Sequence, residues 1–136
     1  MHESDHDEIR NLLARLAQVT DTGEIDEYLD CFTADAVLEV PPGPPFEGRA
    51  ALEQRARSTR EEGRLGPGSH VRHALTTIVV TVDGDEATSR SVWQLIKVTG
   101  SGPELMRIGE YRDRLRRDGD GRWRLANRQL LAEAGA

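Results

Sequence analysis

Four histidines, one cysteine and a scatter of carboxylates, phenols and arginines are the groups of this chain that can move protons or hold charge. His70 and His73 stand three positions apart. On a strand an odd separation sends side chains to opposite faces, so this pair is not expected to share a metal. His2 and His6 have the spacing of one helical face, but they lie at a chain end that frays and read as incidental. Cys31 is the only cysteine, which excludes an internal disulfide and a cysteine metal site. Proton transfer is what remains for an imidazole. A neutral histidine takes a carbon-bound proton near neutral pH when a carboxylate on its other ring nitrogen fixes the tautomer and stabilises the imidazolium. Asp21 and Glu24 have capping-box spacing, so Asp21 also has a purely structural reading as a helix N-cap. Tyr28 falls on an apolar helix face, where a phenol packs in a core, hydrogen-bonds a substrate oxygen or protonates a leaving hydroxyl. Glu110 stands among apolar neighbours and must be paired or titrate high. Facing inward, it is either a second acid or the partner of Arg128. Arg128 has a competing reading as a solvated arginine at a strand end.

The chain that must position these groups has 136 residues, 18 basic and 24 acidic side chains, and a formal net charge of −6. That length predicts one domain, with a core that buries roughly two-thirds of the unfolded surface. Apolar residues are 37% and charged residues 31%, a globular balance, and no apolar run approaches the ~20 residues of a membrane span. The opening stretch is acidic and polar, unlike a secretory signal, so the cytoplasm is the expected compartment. Charge is unevenly placed: residues 1–30 carry nine acids against Arg10 and Arg15, and residues 107–128 carry eight arginines against four acids. The negative total argues against a polyanionic partner, and alternating arginines read as the solvated face of a strand.

Ser4 and Asp7 have capping-box-like spacing, and Ile9, Leu12, Leu13 and Leu16 recur at helical spacing, which predicts a first helix to about Thr20. Gly23 stops it, and Ile25, Tyr28, Leu29 and Phe32 mark a second amphipathic helix. Residues 37–40 read as a short strand, ended by the proline-rich run 41–45, a spacer or lid. Residues 49–62 predict a third, mostly exposed helix, and 63–69 a glycine-rich break. From His70 the pattern turns β-branched. Strands are expected up to Val82, then over 87–99, 104–117 and 122–131, with turns at Asp83-Gly84-Asp85, 100–103 and 118–121. Strands of roughly 35 to 45 Å must twist and curl. The expected fold is α+β, with N-terminal helices on the concave side of a curled antiparallel sheet that encloses a pocket. In such a sheet Val71, Leu75, Thr77 and Val79 share the face of His73 unless a bulge intervenes.

That order of elements resembles the cone of nuclear-transport-factor-2-like proteins, and specifically its SnoaL-like branch. The resemblance is carried by Asp21-Thr22-Gly23-Glu24-Ile25-Asp26-Glu27-Tyr28 with Phe32-Thr33-Ala34-Asp35-Ala36-Val37, and by Phe46-Glu47-Gly48-Arg49 before the third helix. It continues in Ser69-His70-Val71-Arg72-His73 with Val82-Asp83-Gly84-Asp85-Glu86-Ala87, and in Gly109-Glu110-Tyr111-Arg112-Asp113 with Trp123-Arg124-Leu125 and Arg128. It covers nearly the whole chain as a single domain, residues 1–136, and implies a cone-shaped α+β barrel. The family includes dehydratases, a dehydrochlorinase, polyketide cyclases and ketosteroid isomerases alongside non-catalytic members, so the fold alone does not select a function.

In the dehydratase and dehydrochlorinase members an aspartate at the end of the first helix orients a histidine at the start of the meander. By position the resemblance implies Asp21 and His73 as the catalytic pair, the orienting half of a triad without the serine. It implies Trp93 and Leu95 on the cavity side of the second meander strand, and Met106, Ile108 and Glu110 on that of the third. It also implies an Arg128 that attracts a leaving group or oxyanion. Many SnoaL-like members carry a tyrosine late in the first helix, where this chain has Leu16. The expected activity is that of a lyase or isomerase with no cofactor and no metal, acting on a small apolar carbonyl or hydroxyl compound. The alternatives are a polyketide-type cyclase, which begins with the same proton abstraction, and a non-catalytic ligand-binding or oligomerisation module. Epoxide opening ranks below these, because it needs more carboxylates at the pocket. No nucleic acid or membrane partner is expected. A homodimer or homotrimer is, through an outer sheet face bearing Arg107, Tyr111, Asp113 and Leu115.

Overall fold

The computed structural model describes residues 4–133. It contains α1 (Asp5–Thr22), α2 (Ile25–Asp30), β1 (Phe32–Glu39), β2 (Phe46–Glu47), α3 (Arg49–Glu61), β3 (Val71–Asp83), β4 (Glu86–Thr99), β5 (Gly102–Arg117) and β6 (Trp123–Ala132). The sheet is curled and unclosed, in the order β2-β1-β6-β5-β4-β3. It is mixed rather than purely antiparallel, because β1 runs parallel to β6. No helix among the described residues is long and apolar enough to cross a membrane. His2 lies outside the described residues, and His6 is exposed on the first turn of α1.

Helix α1 starts where the Ser4 hydroxyl accepts the Asp7 N–H at 3.1 Å, with Asp5, Asp7 and Glu8 in the first turn, where the helix dipole favours negative charge. Its Ile9, Leu13, Leu16 and Val19 form one buried stripe. That stripe packs in the core with Leu52 and Ala56 of α3 and with Leu38, Val80, Ala87, Leu115 and Leu125 of the sheet. A fully buried leucine of this kind contributes roughly 1.5–3 kcal/mol. The helix stops at Gly23, where a Cβ would lie 2.7 Å from that of Val19. Arg60 of α3 donates to the carbonyls of Gly23 (2.8 Å) and Val19 (3.1 Å), the latter also accepting the Gly23 N–H at 2.9 Å, so the end of α1 is held by a distant side chain.

Helix α2 is shorter than its apolar spacing suggests, and Phe32 opens β1 instead of closing the helix. The cause is a set of tertiary hydrogen bonds. Arg124 Nε donates to the Asp30 carbonyl at 2.9 Å, Leu125 N–H to the Cys31 carbonyl at 2.9 Å, and Arg49 to the Phe32 carbonyl at 2.6 Å. Those carbonyls are thereby committed to partners outside the helix.

Bulges set which strand residues face the core. In β3 the pairing with β4 shifts register between Thr76 and Val79, and Thr77 has φ +49°, rare for a β-branched residue. Beyond the bulge Ile78, Val80 and Val82 pack on the core while Val79 is 64% exposed, so Val79 does not share the face of His73. In β5 the inward set is Tyr111, Asp113 and Leu115, all buried, opposite to the expectation that these face outward. A second bulge between Leu95 and Ile96 leaves Met106 without a partner on β4. Gly109 then faces Trp93. A Cβ at Gly109 would sit 2.0 Å from the Leu131 carbonyl oxygen and 2.4 Å from the indole ring. The arginine-rich end of the chain is not simply a solvated face, since Arg124 and Arg128 are buried. Arg124 is enclosed by Asp30, Asp118 and Asp120.

Two stability measurements follow from this packing. Gly109→Ala forces the Trp93 ring or strand β6 to move, and is expected to lower the urea unfolding free energy by about 1–3 kcal/mol, the cost of overpacking. Burial pushes the Cys31 thiol from 9.0 up to about 11, so the unfolded chain ionises first as pH rises. Stability is therefore expected to fall between about pH 9 and 11, with Cys31 contributing on the order of 2–3 kcal/mol. That component should vanish from the pH series of Cys31→Ala.

Candidate active site

The last turn of α1 and the third residue of β3 meet at one carboxylate. Asp21 Oδ1 lies 2.6 Å from His73 Nδ1, and Asp21 Oδ2 accepts the His73 backbone N–H at 2.8 Å. Asp21 is 4% exposed and the His73 side chain 10%. A carboxylate only accepts, so the proton of this hydrogen bond sits on Nδ1, and in the neutral ring Nε2 carries the lone pair. The N-cap reading of Asp21 is excluded by the structure. Glu24 caps α2, and its N–H is accepted by Glu27 Oε1 at 3.0 Å. His70 is exposed, with φ +62°, and takes no part in the pair.

His73 lines a cavity of about 50 Å³. Leucines 16, 38, 65 and 130 form its apolar walls, and Tyr28, Arg55, Tyr111 and Arg128 add polar groups. That volume holds a water or two, well short of the roughly 300 Å³ of a metabolite site, so a substrate must displace a side chain to enter. Tyr28 packs edge-on against Phe32 with ring centroids 5.1 Å apart, and burial raises the titration of both phenols.

Arg128 is fixed by two parallel hydrogen bonds to Asp113, Nε to Oδ1 at 2.8 Å and Nη2 to Oδ2 at 2.9 Å. Its guanidinium carbon lies 3.6 Å from the centroid of the Tyr111 ring. Burial opposes its charge, but the Asp113 carboxylate outweighs that cost and keeps it protonated throughout the ordinary pH range. A guanidinium held on one edge and stacked on one face presents its remaining N–H groups in a fixed direction.

The structure thus brings Asp21, His73, Tyr28 and Arg128 together. Trp93 is buried against Tyr111, with centroids 6.0 Å apart, but does not line the cavity, and its indole N–H is buried without a partner among the described residues. Leu95 is partly buried on the same side of β4 and also stands off the cavity. Met106, Ile108 and Glu110 lie outside the cone, a correction to the expected pocket. Met106 and Ile108 are 50% and 40% exposed. Glu110 is held by Arg90 at 2.5 Å and Arg112 at 3.4 Å, which keeps its carboxyl below the usual range. Gly109 pairs with the buried Trp93 and alternates with Tyr111 and Asp113 on the inward face, so Ile108 and Glu110 face outward, and Asp113 takes the position expected of Glu110 as partner of Arg128. Sequence reasoning therefore missed Tyr111 and Asp113 as inward groups. The available signal was Gly109 itself, since a glycine within a long strand marks close approach of a large neighbour. Arg55 was missed because it sits on a helix read as mostly exposed. Among the described residues no group of three His, Cys, Asp or Glu side chains is placed to hold a metal.

Comparison with known proteins gives the relationship. The SnoaL-like domain family matches residues 2–129. Among solved structures, Rv3472, a function unknown protein from Mycobacterium tuberculosis, is 32% identical over 95% of this chain and 72% of its own, with a TM-score of 0.78. An NTF2-like protein with a cystatin-like fold from Novosphingobium aromaticivorans is 27% identical over 97% of this chain and 84% of its own, with a TM-score of 0.79. ActVI-ORFA from Streptomyces coelicolor shares the fold at 20% identity, over 94% and 96% of the two chains, with a TM-score of 0.80. No curated protein sequence matches this chain significantly. With that domain spanning nearly its full length and this fold beneath it, the chain belongs to the SnoaL-like family, within the nuclear-transport-factor-2-like superfamily.

Proposed function

We propose that this protein is a lyase or isomerase of the dehydratase type, in which His73 removes a proton from a carbon beside a carbonyl. The observation that carries the reading is the 2.6 Å contact of Asp21 with His73 Nδ1, which directs the basic Nε2 of a cavity-lining imidazole away from the carboxylate. As the C–H bond breaks, its electron pair forms the enolate and the proton passes to Nε2. Asp21 stabilises the resulting imidazolium. Arg128, held by Asp113, supplies N–H donors to the developing oxyanion. In a dehydration the enolate then expels a neighbouring hydroxyl, which takes the proton from His73, directly or through the Tyr28 phenol that His73 reprotonates, and leaves as water. In an isomerisation the same proton returns to another carbon. Cyclisation by aldol chemistry shares the first step and differs only in what the enolate attacks.

Deuterium exchange tests that first step without requiring the natural substrate. In deuterium oxide, the aldol of acetone and benzaldehyde is expected to take up deuterium beside its carbonyl with the wild-type protein. With His73→Ala the rate should fall by roughly a hundred- to ten-thousand-fold, the usual worth of a positioned base. Asp21→Asn should fall with it, and an exchange rate unchanged in both variants would refute the base assignment. The Arg128 arrangement has its own check in urea unfolding. Asp113→Asn leaves a buried guanidinium without its counter-charge and is expected to cost about 3–5 kcal/mol. Glu110→Gln, on the exposed pair with Arg90, should cost less than about 1 kcal/mol.

A further inference from the structure

The charges that line the candidate site do not all cancel. Arg128 is neutralised by Asp113, and the carboxylate of Asp21 is engaged by His73. Arg55, on α3, has no carboxylate within ion-pair distance among the described residues, and its guanidinium carbon lies over the face of the Phe46 ring, 5.6 Å from the centroid. An exposed cation–π contact of this kind stabilises by only about 0.5–1 kcal/mol. Arg55 is also half-buried, and its charge has no counter-ion among the described residues.

Its position gives that imbalance a use. Arg55 lines the inner cavity that His73 borders, and it also lines an open groove of about 570 Å³ between α3 and the proline run. The groove has an apolar wall of Val40, Pro44, Pro45 and Phe46, and its only charged lining groups are Arg55 and Arg64. Arg64 is already paired with Glu62 at 2.5 Å. Arg55 therefore lines both a groove large enough for a metabolite and a cavity that is not. Its charge reaches inward as well, since it acts on both buried phenols, Tyr28 and Tyr111.

We infer that the ligand of this site is a small organic carboxylate, which enters along the groove beside the proline run and pairs with Arg55. A planar guanidinium matches a carboxylate through two parallel hydrogen bonds, whereas a phosphate dianion calls for more donors than one free arginine offers. Pairing draws Arg55 off the Phe46 ring and opens a way from the groove into the cavity. The apolar body of the ligand lies against Pro44, Pro45 and Phe46, with its reacting carbon on the His73 side. Only that last detail rests on the proposed proton transfer. The substrate class expected from sequence, a mostly apolar carbonyl or hydroxyl compound, thus gains an anionic group.

The test uses an unreactive pair of equal shape, naphthoate and naphthamide, titrated into the full chain by calorimetry. Naphthoate is expected to bind the wild type about ten-fold or more tighter than naphthamide, as one charge-assisted bidentate pair provides. Arg55→Gln should remove that preference and leave naphthamide affinity unchanged, and Arg55→Lys should keep part of it. Arg57→Gln, which removes an equal charge from the exposed pair with Glu53, should change neither affinity. The inference is overturned if naphthoate fails to bind at millimolar concentration, if the two probes bind equally, if Arg55→Gln retains the preference, or if Arg64→Gln removes it instead. Neither probe reacts, so these outcomes are independent of the deuterium exchange that tests His73.

Discussion

A carboxylate is kept in a protein interior only where its lone pairs are answered, and the Asp21 carboxylate is answered twice by the same residue. His73 gives it both a ring nitrogen and a backbone N–H, so one side chain of α1 fixes the start of β3 in position, rotation and tautomer at once. The turn that carries Asp21 is held in addition from behind, through the two hydrogen bonds of Arg60 to its carbonyls. The close approach of Gly66 to the Arg60 stem, where a Cβ would lie 2.6 Å from Cγ, belongs to the same clamp. The geometry of the candidate pair and helix-to-sheet docking are therefore one set of contacts here. Loosening either would disturb the other.

Among the described residues the two buried arginines come in compensated sets. Arg128 with Asp113 and Arg124 with three aspartates are buried arginines whose charges are met at hydrogen-bond distance, in keeping with the cost of an unpaired ion. Arg124 ties the β5–β6 turn to the end of α2, which is why the arginine-rich end of the chain is structural there instead of solvated. Arg90, Arg112 and Arg116 show the other behaviour, pairing with acids near the surface. Alternation in the sequence does not separate the two groups, because Arg116 and Arg124 each stand beside a buried leucine and yet differ in exposure.

Much of the fold was legible because its signals are local. Ser4, Gly23 and the Asp83-Gly84-Asp85 turn mark element ends by backbone chemistry alone, and the long β-branched runs leave few alternatives to a meander. Asp21 and His73 were legible by the resemblance of their two positions to a known pattern, not by any property of those residues in isolation. What was not legible depended on register. A bulge of a single residue reverses the inward and outward sets beyond it, as it does before Val79, and a run with apolar residues at both parities does not reveal where it falls. The parallel pairing of β1 with β6 was hidden for a similar reason, since its anchors, Arg124 and Leu125, are remote in sequence from Asp30 and Cys31.

The bulge at Thr77 has a consequence beyond the pocket. Strand β3 is an outermost strand, bonded on one side only, and a straight β-branched strand of that length would offer a neighbouring molecule a template for continuing the sheet. The left-handed backbone at Thr77 interrupts that template near its middle. Arg10 of α1 occupies the adjacent Ile78 carbonyl with a 3.0 Å hydrogen bond and places a cation at the interruption. The kink that turns Val80 and Val82 into the core thus also guards the protein against edge-to-edge aggregation.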